Sequence, residues 1–258
     1  MKSIILILTI IVTLLIEFGF TAVAQTTPQG PGQITKGAND RRSVGIDNTT
    51  HGTVVQAQAG NVTALNINST RLTSRWQGYY GNITGRITLD DASNNTLFDW
   101  ELASPRGEIY ASNGTDQGVV AWTNVFCFNY TNNLSDGSPI VQRFNGTDVE
   151  KNIGANAYDV DSLNRTFNGT FTGNFQVAGV TINSNSGCRQ TTLYVNDQYQ
   201  STRFVEVLLT DNSSIIYTAL LEQDQIGFQG SMLDFEMIVG ENGDNSDATN
   251  YYFFVELT

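Results

Sequence analysis

The chain has 258 residues, 40% of them hydrophobic, which suits one large all-β domain or two small domains with a substantial core. Its 25 acidic residues outnumber 13 Lys and Arg, so the formal net charge is −12 at pH 7. Because phosphate neutralisation needs clustered basic side chains, and the Arg residues here are scattered, this balance excludes a nucleic-acid partner.

Residues 1–24 have the three parts of a secretory signal peptide. Lys2 is the basic region, residues 4–16 form an apolar run, and residues 22–24 are a small-residue cleavage box. An uncleaved membrane anchor is the alternative, but the run is short for a span and Glu17 would lie in hydrocarbon. We therefore expect an extracellular or cell-surface protein with no membrane span after cleavage.

Residues 25–50 are rich in Gly, Pro, Gln and Thr, which predicts a flexible arm ahead of the domain. The simplest role for such an arm is that of a spacer. An extended arm before a β domain can also add a strand to the sheet edge of a neighbouring subunit. Identical subunits and other surface proteins are therefore candidate partners.

The domain predicted over residues 51–258 follows the period-two alternation of strands rather than a helical period. In the segment 98–102, Phe98, Trp100 and Leu102 are expected to face inward, with the acidic residues between them facing outward. No window of a dozen residues favours an amphipathic helix. Many short strands separated by Gly and Asn turns predict an all-β fold, a β-sandwich or jelly-roll-like domain.

Two apolar runs at 205–210 and 215–220 flank Asp211-Asn212-Ser213-Ser214, which predicts a hairpin with a polar tip. A short helical turn is expected at 146–153. The other predicted strands are 53–58, 62–67, 72–77, 82–89, 107–111, 119–126, 140–144, 166–172, 175–182, 189–195, 233–237 and 251–257.

Asn-x-Ser/Thr acceptor sites for N-glycosylation occur twelve times, against about five expected by chance from the composition. Three of them read Asn-Gly-Thr, which is also a tight-turn signature, so turn chemistry is an alternative there. The acceptor sites leave two regions bare, the arm before residue 48 and the segment 213–258, where we would first seek an interface. The acceptor residues are Asn48, Asn61, Asn68, Asn82, Asn94, Asn113, Asn129, Asn133, Asn145, Asn164, Asn168 and Asn212.

Cys127 and Cys188 are the only cysteines. In an exported chain an isolated pair predicts one disulfide. A redox pair or a metal site would need close spacing or His partners, and neither is present.

Catalytic residues are not evident. The single His, His51, adjoins the flexible arm, where it could not be held rigidly against a nucleophile. A hydrolase working through two carboxylates is the remaining catalytic alternative, with Asp99 and Glu101 on one strand face, although alternation predicts that both are solvated.

No cofactor is expected, with calcium as the one alternative. The acidic, Asn-rich loops containing Asp159, Asp161, Asp244 and Asp247 have the oxygen ligands that calcium uses. None has the spacing of a helix-loop-helix calcium site, and solvated turns account for the same residues.

Trp76, Tyr79 and Tyr80 could form an aromatic binding face for carbohydrate, since exposed coplanar rings stack on sugars. Burial in the core is the alternative for each ring.

The motifs WQGYYGNITG at 76–85 and LDDASNNTLFDW at 89–100 resemble a group of uncharacterised exported, Asn-glycosylated cell-surface proteins from archaeal genomes. The likeness covers most of the chain after the leader and implies an archaeal cell-surface setting, with no activity or catalytic residue to carry over. We therefore expect a non-enzymatic glycosylated surface or extracellular structural protein, with a filament or envelope subunit that assembles by strand addition as its sharper form. An adhesion or carbohydrate-binding module is the alternative, and a secreted hydrolase a third.

Overall fold

A computed structural model describes residues 27–40, 55–66, 72–73, 75–102, 106–113, 120–128, 160–241 and 248–257. The signal peptide, His51, the strand predicted at 140–144, the helical turn predicted at 146–153, and the calcium candidates Asp159, Asp244 and Asp247 lie outside these residues.

Strands dominate the described residues, which confirms the all-β class. One short helix, α1, covers Leu163–Thr166, and a 3-10 turn covers Trp122–Asn124. The strands β1–β15 are, in chain order, Trp76–Gly81, Gly85–Asp90, Thr96–Leu102, Gly107–Ser112, Phe126–Cys127, Gly169–Thr170, Asn174–Val177, Val180–Asn183, Arg189–Thr192, Val205–Thr210, Ile215–Leu220, Gln225–Ile226, Met232–Leu233, Phe235–Gly240 and Tyr252–Leu257.

The main sheet is antiparallel and has the order β15-β4-β11-β10-β9-β6. The short strand β5 pairs with the same side of β10 as β9 does, beyond the end of β9. Its centre is the predicted hairpin, in which β10 pairs with β11 from Glu206↔Ala219 to Thr210↔Ile215. Asp211 closes the tip by accepting hydrogen bonds from the Ser213 and Ser214 amides at 2.9 and 2.8 Å. Asx-type turn chemistry therefore fixes the register of the two central strands.

Both faces of this sheet are buried, which explains why β10 and β11 read as nearly continuous apolar runs. The first face carries side chains such as Leu208 and Tyr217, which pack with Phe167, the residue that follows α1. The second face carries Val207 and Ile216, covered by the apolar side of the β7–β8 hairpin.

A second layer lies over the first face. The antiparallel pair β1–β14 places Met237 and Val239 in the core shared with the main sheet. Tyr79, opposite Met237, packs edge-on against Phe253 of β15 with ring centroids 5.1 Å apart. This layered packing fits the predicted β-sandwich.

Five strand predictions need correction. Residues 55–66 form no strand, although strands were expected at 53–58 and 62–67. The segment 119–126 contains the 3-10 turn instead of a continuous strand. In the stretch predicted as a strand at 166–172, the first residue is the last residue of α1 and only Gly169–Thr170 form a strand. The strand expected at 175–182 is a hairpin, because Ala178 and Gly179 have positive φ values of 48° and 78° and reverse the chain.

Candidate assembly edge and surface sites

The outer edge of β15 is where the N-terminal arm meets the domain. The Gln29 amide donates to the Val255 carbonyl at 2.9 Å, and the Val255 amide donates back to the Gln29 carbonyl at 2.8 Å. Pro28, next to this bridge, is buried. β15 has β4 on its other side, so this exchange continues the main sheet by one antiparallel bridge. The geometry is that of strand addition to a sheet edge.

The contact between the arm and the domain is short. Beyond Gln29 the arm is exposed at every residue from 32 to 40, including the apolar Ile34. The contact brings together the two regions that carry no acceptor sequence for glycosylation, the arm before residue 48 and the segment 213–258.

The segment 55–66 also has strand-like alternation but no strand partner within the described residues. Val55, Val62 and Leu65 are all exposed, and Val62 is fully so. The uncharged stretches on either side of the turn at residues 59–60 are suited to pairing with another sheet edge.

The acceptor residues that the structure describes all reach the surface. Exposed positions are Asn61, Asn82, Asn94 and Asn168, and half-buried positions are Asn113, Asn164 and Asn212. The other five lie outside the described residues: Asn48, Asn68, Asn129, Asn133 and Asn145. Turn geometry coincides with acceptor chemistry at Asn94 and Asn212, which have φ values of 64° and 74°.

The three aromatic residues proposed as one binding face do not form one. Trp76 packs against Phe167 and donates its indole N–H to the Asp161 carbonyl at 2.8 Å. Tyr79 packs on the same core, and burial raises its pKa. Tyr80 is the exposed ring of the three, in edge contact with Phe228 at 5.1 Å. The coplanar platform is therefore not present.

A different aromatic surface lies on the β2–β3 hairpin. Ile87 is opposite Trp100, and Leu89 is opposite Phe98, so the four apolar side chains share one face. Phe98 and Trp100 are 56% and 49% exposed, with ring centroids 4.9 Å apart. The inward orientation expected for both rings is wrong, because these two strands form a separate sheet whose apolar face nothing in the described chain covers. Asp99 faces the other way, as expected, and forms an ion pair with the Arg86 guanidinium at 2.8 Å.

Asp161 has a local structural role. Its carboxylate accepts a hydrogen bond from the Thr73 hydroxyl at 2.9 Å and lies 3.6 Å from the Arg75 guanidinium. Across the part of the chain that the structure covers, no three His, Cys, Asp or Glu side chains converge as metal ligands.

The predicted disulfide is present. Cys127 of β5 and Cys188, just before β9, lie end to end along β10, with their Cα atoms 4.7 Å apart. Both are buried in the second-face core. The bond ties together two short strands that share one side of β10.

A cleft of about 520 Å³ contains two carboxyl groups, the arrangement that a carboxylate-dependent hydrolase would need. Glu222 accepts hydrogen bonds from the Phe204 amide at 3.1 Å and the Arg203 guanidinium at 3.0 Å. Glu108 is 6% exposed, and its Oε2 is shut away from solvent. One carboxyl is thus engaged by the protein and the other is out of reach of a substrate, so the geometry does not favour catalysis.

Buried carboxyl groups are the feature that sequence reasoning missed. Glu206 is fully buried between the layers, where its Oε2 accepts from the Ile238 amide at 3.0 Å, and desolvation raises its pKa well above the usual value. Desolvation also raises the pKa of Glu236 and brings that of Glu108 to about 8. The available signal was a Glu within the otherwise apolar run Val205–Thr210, where a solvated residue was not expected.

Among the residues that the structure describes, no helix is both long and apolar enough to cross a membrane. Comparison with protein-family models, with curated proteins and with solved structures finds no match to this chain.

Proposed function

We propose that this protein is a non-enzymatic, glycosylated structural subunit of a cell surface or an extracellular filament, and that it assembles through its N-terminal arm. The observation that carries the proposal is the two-way backbone exchange between Gln29 and Val255 at the outer edge of β15. An edge that accepts the arm of its own chain offers the same backbone groups to the arm of a neighbour.

The shape of the contact supports exchange between subunits. One bridge and the buried Pro28 beside it hold the described part of the arm, and residues 32–40 are exposed, so little has to break before the arm can leave. The stretches on either side of the turn at residues 59–60 are further candidates for pairing with a neighbouring sheet edge. The absence of acceptor sites from residues 25–47 and from β15 would keep glycans away from the contact.

Deletion of residues 25–50 tests the proposal directly. We expect native material to contain polymers and the deletion variant to form folded monomers, as measured by electron microscopy and size-exclusion chromatography with light scattering. Polymers that survive the deletion would refute assembly through the arm.

A point variant tests the bridge itself. Gln29→Pro removes the amide that donates to Val255, and Ile34→Pro is the matched control in the exposed part of the arm. A synthetic peptide of residues 25–40 should bind the arm-deleted protein, and the Gln29→Pro peptide about tenfold more weakly, because one of two reciprocal hydrogen bonds is lost. Equal weakening by both substitutions would show that the binding does not use this register.

Export and glycosylation have their own test. We expect the intact mass of native material to correspond to a chain starting at Gln25, with sugar on at least half of the twelve acceptor sites. A retained leader, or a mass equal to that of the bare polypeptide, would contradict this part of the proposal.

Carbohydrate binding is a second candidate, and the exposed ring pair Phe98 and Trp100 favours it over the residues first considered. An aromatic ring open to solvent can stack on a sugar face. Binding to a glycan array that is lost in Trp100→Ala and kept in Trp76→Phe would support this candidate, and binding indifferent to Trp100→Ala would refute it.

A further inference from the structure

Two buried glutamates face each other where the edge strand β15 joins the main sheet. Glu256 of β15 is the register partner of Glu108 of β4, so both side chains leave the same face of the sheet. Each is only 6% exposed. Strands place directly opposite side chains about 5 Å apart at Cβ, and like charges at such positions repel.

The surroundings of the pair give the two carboxyl groups different roles. Glu256 Oε2 accepts hydrogen bonds from the Tyr110 hydroxyl and from the Ala178 amide, each at 3.2 Å. Two donors aimed at one oxygen favour its ionised form. Glu108 Oε2 is buried without a hydrogen-bond partner, which is costly for a charged oxygen and much less so for a protonated group.

We propose that the pair of Glu108 and Glu256 binds one proton rather than none, and that this proton holds the edge strand β15, together with the arm bridged to it, on the main sheet. The proton is carried by Glu108 and the charge by Glu256. The proposal does not rest on exchange of arms between subunits.

The other groups around the pair leave this assignment in place. On β4 the nearest titratable group is Tyr110, whose pKa is raised, chiefly by burial, so its hydroxyl remains a donor. On β11 the residue opposite Glu108 is the apolar Leu220. The remaining charged groups line the adjoining cleft, namely Arg106 together with the ion pair of Arg203 and Glu222 at 3.0 Å. Desolvation first, and the charge of Glu256 second, raise the pKa of Glu108 to about 8, and they outweigh a hydrogen bond with the Tyr110 hydroxyl, which lowers it.

The sign of the pH dependence follows from this shift. A glutamate of an unfolded chain titrates near pH 4.5, whereas Glu108 in the folded sheet titrates near 8. The stabilising effect of its proton is fully present below about pH 4.5, declines as the pH rises to about 8, and is absent above that. β15 is therefore held most firmly in acidic medium.

The consequence is local because β15 lies at the edge. On one side β15 pairs with β4. On the other side, within the described residues, it has the single bridge to Gln29, which is made by Val255, the residue before Glu256. When Glu108 loses its proton, two negative charges face each other, and separation of β4 and β15 lowers their repulsion. Water from the cleft beside Glu108 can then solvate the new carboxylate. The bridge to the arm is lost together with the strand that carries it.

Amide hydrogen exchange of the folded protein, measured between pH 5 and pH 9 and corrected for intrinsic exchange rates, tests the proposal. We expect protection of the β15 amides to fall by about 1,000-fold over this range in the wild type, because about 3 pH units separate pH 5 from the pKa of Glu108. Protection of β15 should also be lower at every pH than that of β10 and β11, which open only with the whole domain. Glu108→Gln keeps the shape without the titration, so its β15 protection should change by less than about threefold. Glu206→Gln is the matched control, a buried glutamate on the opposite face whose loss should leave the β15 profile unchanged.

A wild-type β15 profile independent of pH, or a profile that Glu108→Gln leaves unaltered, would overturn the proposal. If Glu108→Gln does not fold, the wild type still decides. Carbon-13 NMR of labelled glutamate should show, apart from the signals assigned to Glu206 and Glu236 by their Gln variants, a carboxyl that stays protonated at pH 6 and titrates near 8. The absence of such a carboxyl would equally overturn the proposal.

Discussion

Removal of the disulfide between Cys127 and Cys188 should cost a large share of the stability of this domain. The two residues are 61 apart in sequence, so the bond closes a long loop in the unfolded chain. The chain-entropy relation gives about 14 cal/mol/K for a loop of this size, or about 4 kcal/mol at 25 °C. Loss of two buried sulfur atoms from the second-face core adds about 1 kcal/mol.

The measurement is urea unfolding of the Cys127→Ala/Cys188→Ala variant, followed by tryptophan fluorescence and extrapolated linearly to water. Against a typical total of about 5–15 kcal/mol, the expected loss is easily resolved. Cys127→Ala alone is the informative companion, because it opens the same loop while it keeps one sulfur. We expect the single variant to lose nearly as much as the double. A loss below about 1.5 kcal/mol in both would refute the loop-closure argument, since it would mean that the unfolded chain gains little freedom.

Three further substitutions test the packing. Gly107→Ala should lose about 3 kcal/mol, because Gly107 has a φ of 129° and a Cβ there would overlap the Glu256 carbonyl; a neutral result by urea titration would contradict the position of β15. Phe167→Ala should lose about 3–5 kcal/mol as a buried ring, whereas Phe98→Ala should lose less than about 1, and similar losses for the two would show that the β2–β3 face is covered. Asp234→Ala should lower the thermal midpoint by about 5 °C or more, because two backbone amides lose their acceptor; an unchanged midpoint in calorimetry would count against these bonds.

The central hairpin could be predicted from sequence because every local signal agreed there. The apolar runs at 205–210 and 215–220 have strand composition, and the Asp-Asn-Ser-Ser tip supplies its own hydrogen bonds. The disulfide was equally accessible, since a lone cysteine pair in a chain expected to be exported has few other uses.

The β2–β3 hairpin shows where sequence alternation stops being informative. Alternation in the segment 98–102 correctly separates an apolar face from a polar one, but it does not say whether anything packs on the apolar face. The same limit applies to residues 55–66, which alternate like a strand yet lack a partner in the described structure. Strand formation depends on a neighbour, and the identity of a neighbour is a property of the whole fold.

The candidate sites were less predictable than the fold. Sequence reasoning singled out the arm and the segment 213–258 by their lack of acceptor sites, and the structure joins them at Gln29 and Val255. It gave no hint of the facing pair Glu108 and Glu256, because they are 148 positions apart in the chain and only the strand register makes them neighbours. Contacts of that range follow from topology rather than from any local pattern.

For the proposed assembly through the arm, the bridge between Gln29 and Val255 has a consequence for when subunits could join. An arm that pairs within its own chain competes for the edge at an effective concentration of about millimolar, whereas a neighbour's arm is present only at its bulk concentration. Dilute subunits would therefore remain self-capped, and head-to-tail joining would begin only where export crowds them together. Because each subunit has one arm and one such edge, the resulting chain would have two unlike ends, and growth could be faster at one of them.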